Sequence, residues 1–197
     1  MPQMTDELPS STRPRTPPHL PSAVSLVGFM GAGKTTIGQA LAAKLGWRFV
    51  DLDDLIVKRG GRTIPEIFQQ DGEVAFRDLE QQLLQQAIRP SQAGGAVLSL
   101  GGGAFIDNTN QRLLRENEIP AVFLDAPAEE LFRRCEESGV VRPLLSDHDC
   151  FSALYEQRRP AYMNAAYCIQ TAGREIASIV DEIISRLGLD ANSGASK

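Results

Sequence analysis

The sequence predicts an α/β fold, a parallel β-sheet flanked by helices on both faces, and two observations carry that reading. Short apolar runs rich in β-branched residues alternate with longer stretches of helical period, the pattern of strands covered on both sides and joined by crossover helices. The first such run, Val24 to Val27, passes directly into a glycine-rich loop and then into a helical stretch. That is the local order by which a parallel sheet presents its loops along one edge.

The elements follow in chain order. Strands are expected at Val24 to Val27, Arg48 to Asp51, Ala96 to Leu100, Ala121 to Leu124 and Tyr167 to Gln170. A helix from Thr35 to Leu45 carries Ile37, Leu41 and Leu45 on one face and stops at Gly46, the usual residue for a left-handed helix end. Thr63-Ile64-Pro65-Glu66 reads as a capping box that opens a helix with Ile67 and Phe68 turned inward. Further helices fit Val74 to Ile88, Asn108 to Glu116, Ala128 to Glu136, Phe151 to Met163 and Glu175 to Leu187. The polar stretch from Glu137 to Asp149, with Gly139 and Pro143, is expected to form a mobile lid. Residues 1–21 hold six prolines among Ser and Thr with little to bury, which predicts a disordered tail. Residues 190–197 should fray, leaving one folded unit over 22–189.

Composition narrows the function. With 197 residues, 42% of them hydrophobic, the chain can bury one good core. A formal net charge of -5 argues against general affinity for nucleic acid or an anionic membrane. Three widely spaced cysteines, Cys135, Cys150 and Cys168, suit a reducing compartment better than a disulfide framework or a zinc knuckle. No apolar run reaches the roughly 20 residues of a membrane span. Asp6 and Glu7 count against a transit peptide. A cytoplasmic protein, monomeric and without nucleic acid or membrane partners, is the expectation.

The chemistry concentrates in five places. Gly28-Phe29-Met30-Gly31-Ala32-Gly33-Lys34-Thr35 is a complete phosphate-binding loop (P-loop) between a strand and a helix. Its glycines let backbone N–H groups turn toward phosphate oxygens, Gly31, Ala32, Gly33 and Thr36 belong to the cradle, Lys34 suits the outer phosphates, and the Thr35 hydroxyl suits magnesium. The chain is therefore expected to bind ATP and Mg2+. Asp51-Leu52-Asp53-Asp54 ends the second strand, expected next to the first. Strand alternation would put Asp51 and Asp53 on one side, one toward magnesium and one toward a substrate hydroxyl, while Asp54 reads as a helix N-cap. Glu73, Arg77 and Glu80 share a helical face, which by itself reads as a surface ladder of ion pairs. Gly101-Gly102-Gly103 follows the third strand, either a flexible turn or bare backbone for a ligand. Arg77, Arg142 in the lid and Arg158 could together form a pocket for an anionic substrate.

These motifs together resemble the shikimate kinase family over about residues 24–188: the P-loop, Asp-x-Asp, Gly-Glu-x-x-Phe-Arg-x-x-Glu at 72–80, the triple glycine, Arg-Pro-Leu-Leu from Arg142, and Arg-x-Pro-x-Tyr from Arg158. Ala161 stands where the family usually has leucine. The resemblance implies a P-loop NTPase fold of the nucleoside monophosphate kinase type with a five-stranded parallel sheet. It implies transfer of the γ-phosphate of ATP to the 3-hydroxyl of shikimate. It further implies that Asp53, Arg77, Gly101, Gly102, Gly103 and Arg158 hold shikimate, with Glu80 orienting Arg77. Thr35 and Asp51 would serve magnesium, and Lys34, Asp53 and Arg142 the reaction itself. Arg134 and the loop Gln170 to Arg174 resemble an adenine clamp. Rival readings are a gluconate or nucleoside monophosphate kinase, and a nucleotide-binding module without catalysis.

Overall fold

In a computed structural model that describes residues 21–89, 94–138 and 147–189, five parallel strands alternate with seven helices. The strands are β1 (Ala23–Val27), β2 (Arg48–Asp51), β3 (Ala96–Ser99), β4 (Ala121–Asp125) and β5 (Tyr167–Gln170), in the order β2-β3-β1-β4-β5. The helices are α1 (Lys34–Leu45), α2 (Leu52–Gly60), α3 (Ile64–Ala87), α4 (Asn108–Glu116), α5 (Ala128–Glu137), α6 (His148–Tyr162) and α7 (Ile176–Leu187). Among the described residues no helix is long and apolar enough to cross a membrane.

The core follows from the apolar runs. Every residue of β1, β3 and β4 is buried, so these strands need cover on both faces, and helices supply it. Phe29, in the loop two residues past β1, is fully buried and meets Phe151 and Tyr155 of α6 edge-on at ring centroid distances of 5.0 and 5.6 Å. The P-loop is thereby tied to α6 through an aromatic contact before any ligand arrives.

Local signals set the helix ends. Thr63 and Glu66 form the capping box, with the Thr63 N–H donating to Glu66 Oε2 at 2.8 Å. Gly46 and Gly188 end α1 and α7 in the left-handed conformation.

Several expectations are corrected. β3, not β1, lies beside β2, because the chain leaves β1 for the sheet edge and only later fills the gap. Asp54 does not cap α2; Asp51 does, accepting from the Asp53 N–H at 3.1 Å, because the strand ends one residue before the helix begins. Asp53 therefore sits in the first helical turn, and strand alternation does not relate it to Asp51. The helix expected from Val74 is continuous with the one opened at Thr63, broken only at Gly72, where φ is 82°. The two ends of the expected lid belong to α5 and α6, the latter capped by Asp147. Its middle, with Arg142, lies outside the described residues, as do the expected tails apart from Pro21.

Candidate active site

Parallel strands end on the same side, so the loops after β1, β2, β3 and β4 share one edge of the sheet. The loop after β1 is the P-loop. Gly31 takes a φ of 80° there, and a Cβ on it would stand 2.5 Å from the Leu131 carbonyl oxygen, so no side chain fits. Gly33, also left-handed, is the N-cap of α1 and offers no side-chain cap. The N–H groups of the first turn of α1 are thus left to a ligand, and the helix dipole favours an anion. Lys34 folds back over the loop, its Nζ donating to the carbonyls of Gly28 and Phe29 at 2.9 Å each.

Beside the loop, the Thr35 hydroxyl donates to Asp51 Oδ2 at 3.0 Å. These are hard oxygen donors next to a phosphate cradle, which fits magnesium held by one or two protein oxygens and by phosphates. Among the described residues no group of three or more acidic, histidine or cysteine side chains forms a metal cage. The ion would therefore be held jointly with the nucleotide. Asp51, Asp53, Thr35, Thr36, Gly102, Arg134 and Arg158 all line a cavity of about 600 Å³ with the P-loop.

A second cavity, of about 670 Å³, is lined by Arg77, Asp107, Ile106 and Leu154, and shares Gly103 and Arg158 with the first. The helical ladder is not a surface feature. Glu80 is 2% exposed and accepts from Arg77 Nη1 at 2.9 Å. Burial raises the Glu80 carboxyl above its usual range, against the opposing pull of Arg77. Glu73 reaches the same guanidinium at 3.5 Å from a largely exposed position. The Arg77 guanidinium also lies 5.2 Å from the Phe76 ring centroid, and so is fixed on several sides.

The triple glycine forms the floor between the cavities. A Cβ on Gly101 would stand 2.3 Å from Asp53 Oδ1, and one on Gly103 2.9 Å from Arg77 Nη2. One on Gly102 would meet the Tyr162 hydroxyl at 3.6 Å and Arg158 Nη1 at 3.7 Å. Each glycine thus admits a different polar side chain. At Gly101 and Gly103 the need is close approach, since neither has a positive φ. Arg158 lies 5.9 Å from the Phe29 ring centroid and beside Tyr162, whose hydroxyl donates to the Gly102 carbonyl. Burial pushes the Tyr162 hydroxyl up to about 12, with Arg158 working the other way.

On the far side of the first cavity, Arg134 donates to Thr171 Oγ1 at 3.2 Å and to the Thr171 carbonyl at 3.1 Å. Arg134 and the loop after β5 are therefore brought together. Arg174 turns instead toward α7, donating to Glu182 Oε2 at 2.6 Å and to Ser178 Oγ at 3.1 Å. Sequence reasoning assigned no role to Tyr162, although it stands in the Arg-x-Pro-x-Tyr pattern and the spacing of four from Arg158 was a usable signal.

Gly103→Ala tests the floor. Its Cβ would strike only the far end of the Arg77 side chain, so the melting temperature should barely change. Binding of a compact carboxylate, measured by titration calorimetry, should weaken about tenfold or more as the guanidinium is displaced.

Comparison with known proteins agrees with this geometry. The shikimate kinase family model matches residues 30–188. The shikimate kinase of Persephonella marina is 41% identical over 165 residues, 83% of this chain and 98% of the relative. That of Geobacter sulfurreducens is 43% identical over 164 residues, covering 81% and 87%. Among solved structures, shikimate kinase from Acinetobacter baumannii in complex with shikimate superposes with a TM-score of 0.75 at 35% identity, covering 88% of this chain and 96% of that one. A gluconokinase from Sinorhizobium meliloti, at 18% identity and a TM-score of 0.52, shares the fold alone. The chain belongs to the shikimate kinase family.

Proposed function

We propose that this protein transfers the γ-phosphoryl group of ATP to the 3-hydroxyl of shikimate, giving shikimate 3-phosphate and ADP on the route to chorismate and the aromatic amino acids. The observation that carries the reading is the junction of the two cavities at Gly103 and Arg158. A phosphate cradle and a pair of guanidinium groups there share one wall.

The residues divide the work by position. Gly31, Ala32, Gly33 and Thr36 cradle the phosphates, and Lys34 exchanges its two carbonyl partners for the outer phosphate oxygens. Thr35 and Asp51 would hold magnesium, which when bound draws negative charge from the phosphates. Arg77 and Arg158 take the carboxylate of shikimate, and Gly101 to Gly103 let the ring lie against bare backbone. Asp53 accepts the hydroxyl hydrogen and aims the oxygen at the γ-phosphorus. As that P–O bond forms, the bond to the bridging oxygen of ADP breaks and ADP leaves with the electron pair. The hydroxyl proton passes to Asp53 late, since a loose transition state needs little help from a base. Arg134 serves the adenine end, Arg174 braces the loop after β5 against α7 through Glu182, and Arg142, by resemblance, closes over the phosphates. The acidic net charge disfavours nucleic acid and anionic membrane as partners, and the three scattered cysteines fit a cytoplasmic enzyme, which we take to work as a monomer.

An ADP-release assay with shikimate, gluconate and AMP offered separately tests the reading. Turnover is expected with shikimate alone, and turnover with gluconate or AMP instead would overturn it. Lys34→Ala should lower kcat about a hundredfold, roughly 3 kcal/mol of transition-state stabilisation, while leaving the melting temperature close to wild type. Arg77→Ala should instead raise KM for shikimate. An unchanged KM would remove Arg77 from the carboxylate site.

A further inference from the structure

The end of β4 carries a buried carboxylate that the reaction does not use. Asp125 is 3% exposed. Its Oδ1 accepts from the Tyr155 hydroxyl at 2.6 Å, and its Oδ2 accepts from Arg159 Nη2 at 2.9 Å and from Gln170 Nε2 at 3.0 Å. Arg159 Nε closes the ring by donating to the Tyr155 oxygen at 3.1 Å. A buried carboxylate with three donors is a strong anchor, because removing its charge strands the groups around it. Hydrogen bonding to Asp125, and next to Tyr155, raises the Arg159 guanidinium above its ordinary range.

Tyr155 and Arg159 lie on α6, on either side of Arg158. Tyr155 also packs its ring on Phe29, over which the Arg158 guanidinium lies. The carboxylate thus pins the stretch of helix from which Arg158 reaches the cavities. The main chain of Asp125 does a separate job. Its carbonyl accepts from the Thr171 N–H at 2.8 Å and from Thr171 Oγ1 at 3.1 Å, and Thr171 in turn receives Arg134.

We propose that Asp125 is a positioning residue for the reaction, its carboxylate fixing α6 so that Arg158 presents its guanidinium to the carboxylate of the small acid. The nucleotide side meets the same residue chiefly through its carbonyl, which holds Thr171, with only Gln170 of that loop reaching the carboxylate. This division gives the proposal a signature that general loss of stability would not produce. It rests on the shikimate reading above.

Asp125→Asn keeps the carbonyl and the side-chain shape while removing the charge. KM for shikimate is expected to rise about tenfold or more, since misplacing a binding group by about 1 Å can cost up to about a hundredfold, with KM for ATP within about twofold of wild type. Tyr155→Phe, which keeps the ring on Phe29, and Arg159→Gln, at a partly exposed position, should move the same KM in the same direction. These two decide the matter if Asp125→Asn does not fold. An unchanged KM for shikimate, or an equal rise in both constants, overturns the assignment. A crystal structure of Asp125→Asn separates this failure from failure of the shikimate reading, since it needs no substrate. Arg158 should withdraw from the wall shared by the two cavities, and an Arg158 left in place overturns the proposal whatever the substrate proves to be.

Discussion

Everything in this site depends on holding several cations at one edge of an acidic protein without letting them scatter. The formal net charge is -5, yet Lys34, Arg77, Arg134 and Arg158 all line two adjoining cavities. Like charges at such range repel, and long side chains lose rotamer freedom when fixed. Each is therefore restrained from behind: Lys34 by two P-loop carbonyls, Arg77 by Glu80, Arg134 by Glu130 and Thr171, and Arg158 by the face of Phe29. The buried Arg77–Glu80 pair illustrates the purpose. Burying Glu80 is unfavourable enough to raise its pKa, so the pair gives direction to a guanidinium more than stability to the fold.

The strand order explains why glycine sits where it does. β3 lies between β2 and β1, so the loop after it is flanked on one side by the acids that follow β2 and on the other by the P-loop. Side chains from α2, α3 and α6 converge on that loop from outside the sheet. With a Cβ at any of the three positions, Asp53, Arg77 or the Arg158–Tyr162 pair would meet a side chain where each now meets backbone. Were β2 beside β1, as the sequence order suggests, the triple glycine would stand at the sheet edge with no such neighbours.

How much of this was legible in the sequence depends on the range of the interaction. Features set by a few consecutive residues were readable: the P-loop, the capping box at Thr63, the glycine end of α1, and β2 and β5 to the residue. Where two local rules competed, the reading slipped. Asp51 and Asp54 are both good caps, and only the geometry at the end of β2 selects Asp51. Glu80 looked like a solvated helix residue because nothing in an i, i+3 spacing reports what covers it. Asp125 carried no signal beyond that of any acid closing an apolar strand. Its partners are 30, 34 and 45 residues away, a separation that pattern reading does not span.

Asp51 carries the same logic to the chemistry. One oxygen of its carboxylate accepts the Asp53 N–H and so starts α2, while the other faces the Thr35 hydroxyl at the start of α1. The cap bond restrains the carboxylate and holds its other oxygen turned toward Thr35. The same bond places Asp53 in the first turn of α2, where its carboxylate rests against Gly101. A single helix cap therefore fixes both acids of the site. The geometry that suits magnesium and the geometry that suits a substrate hydroxyl cannot be altered independently.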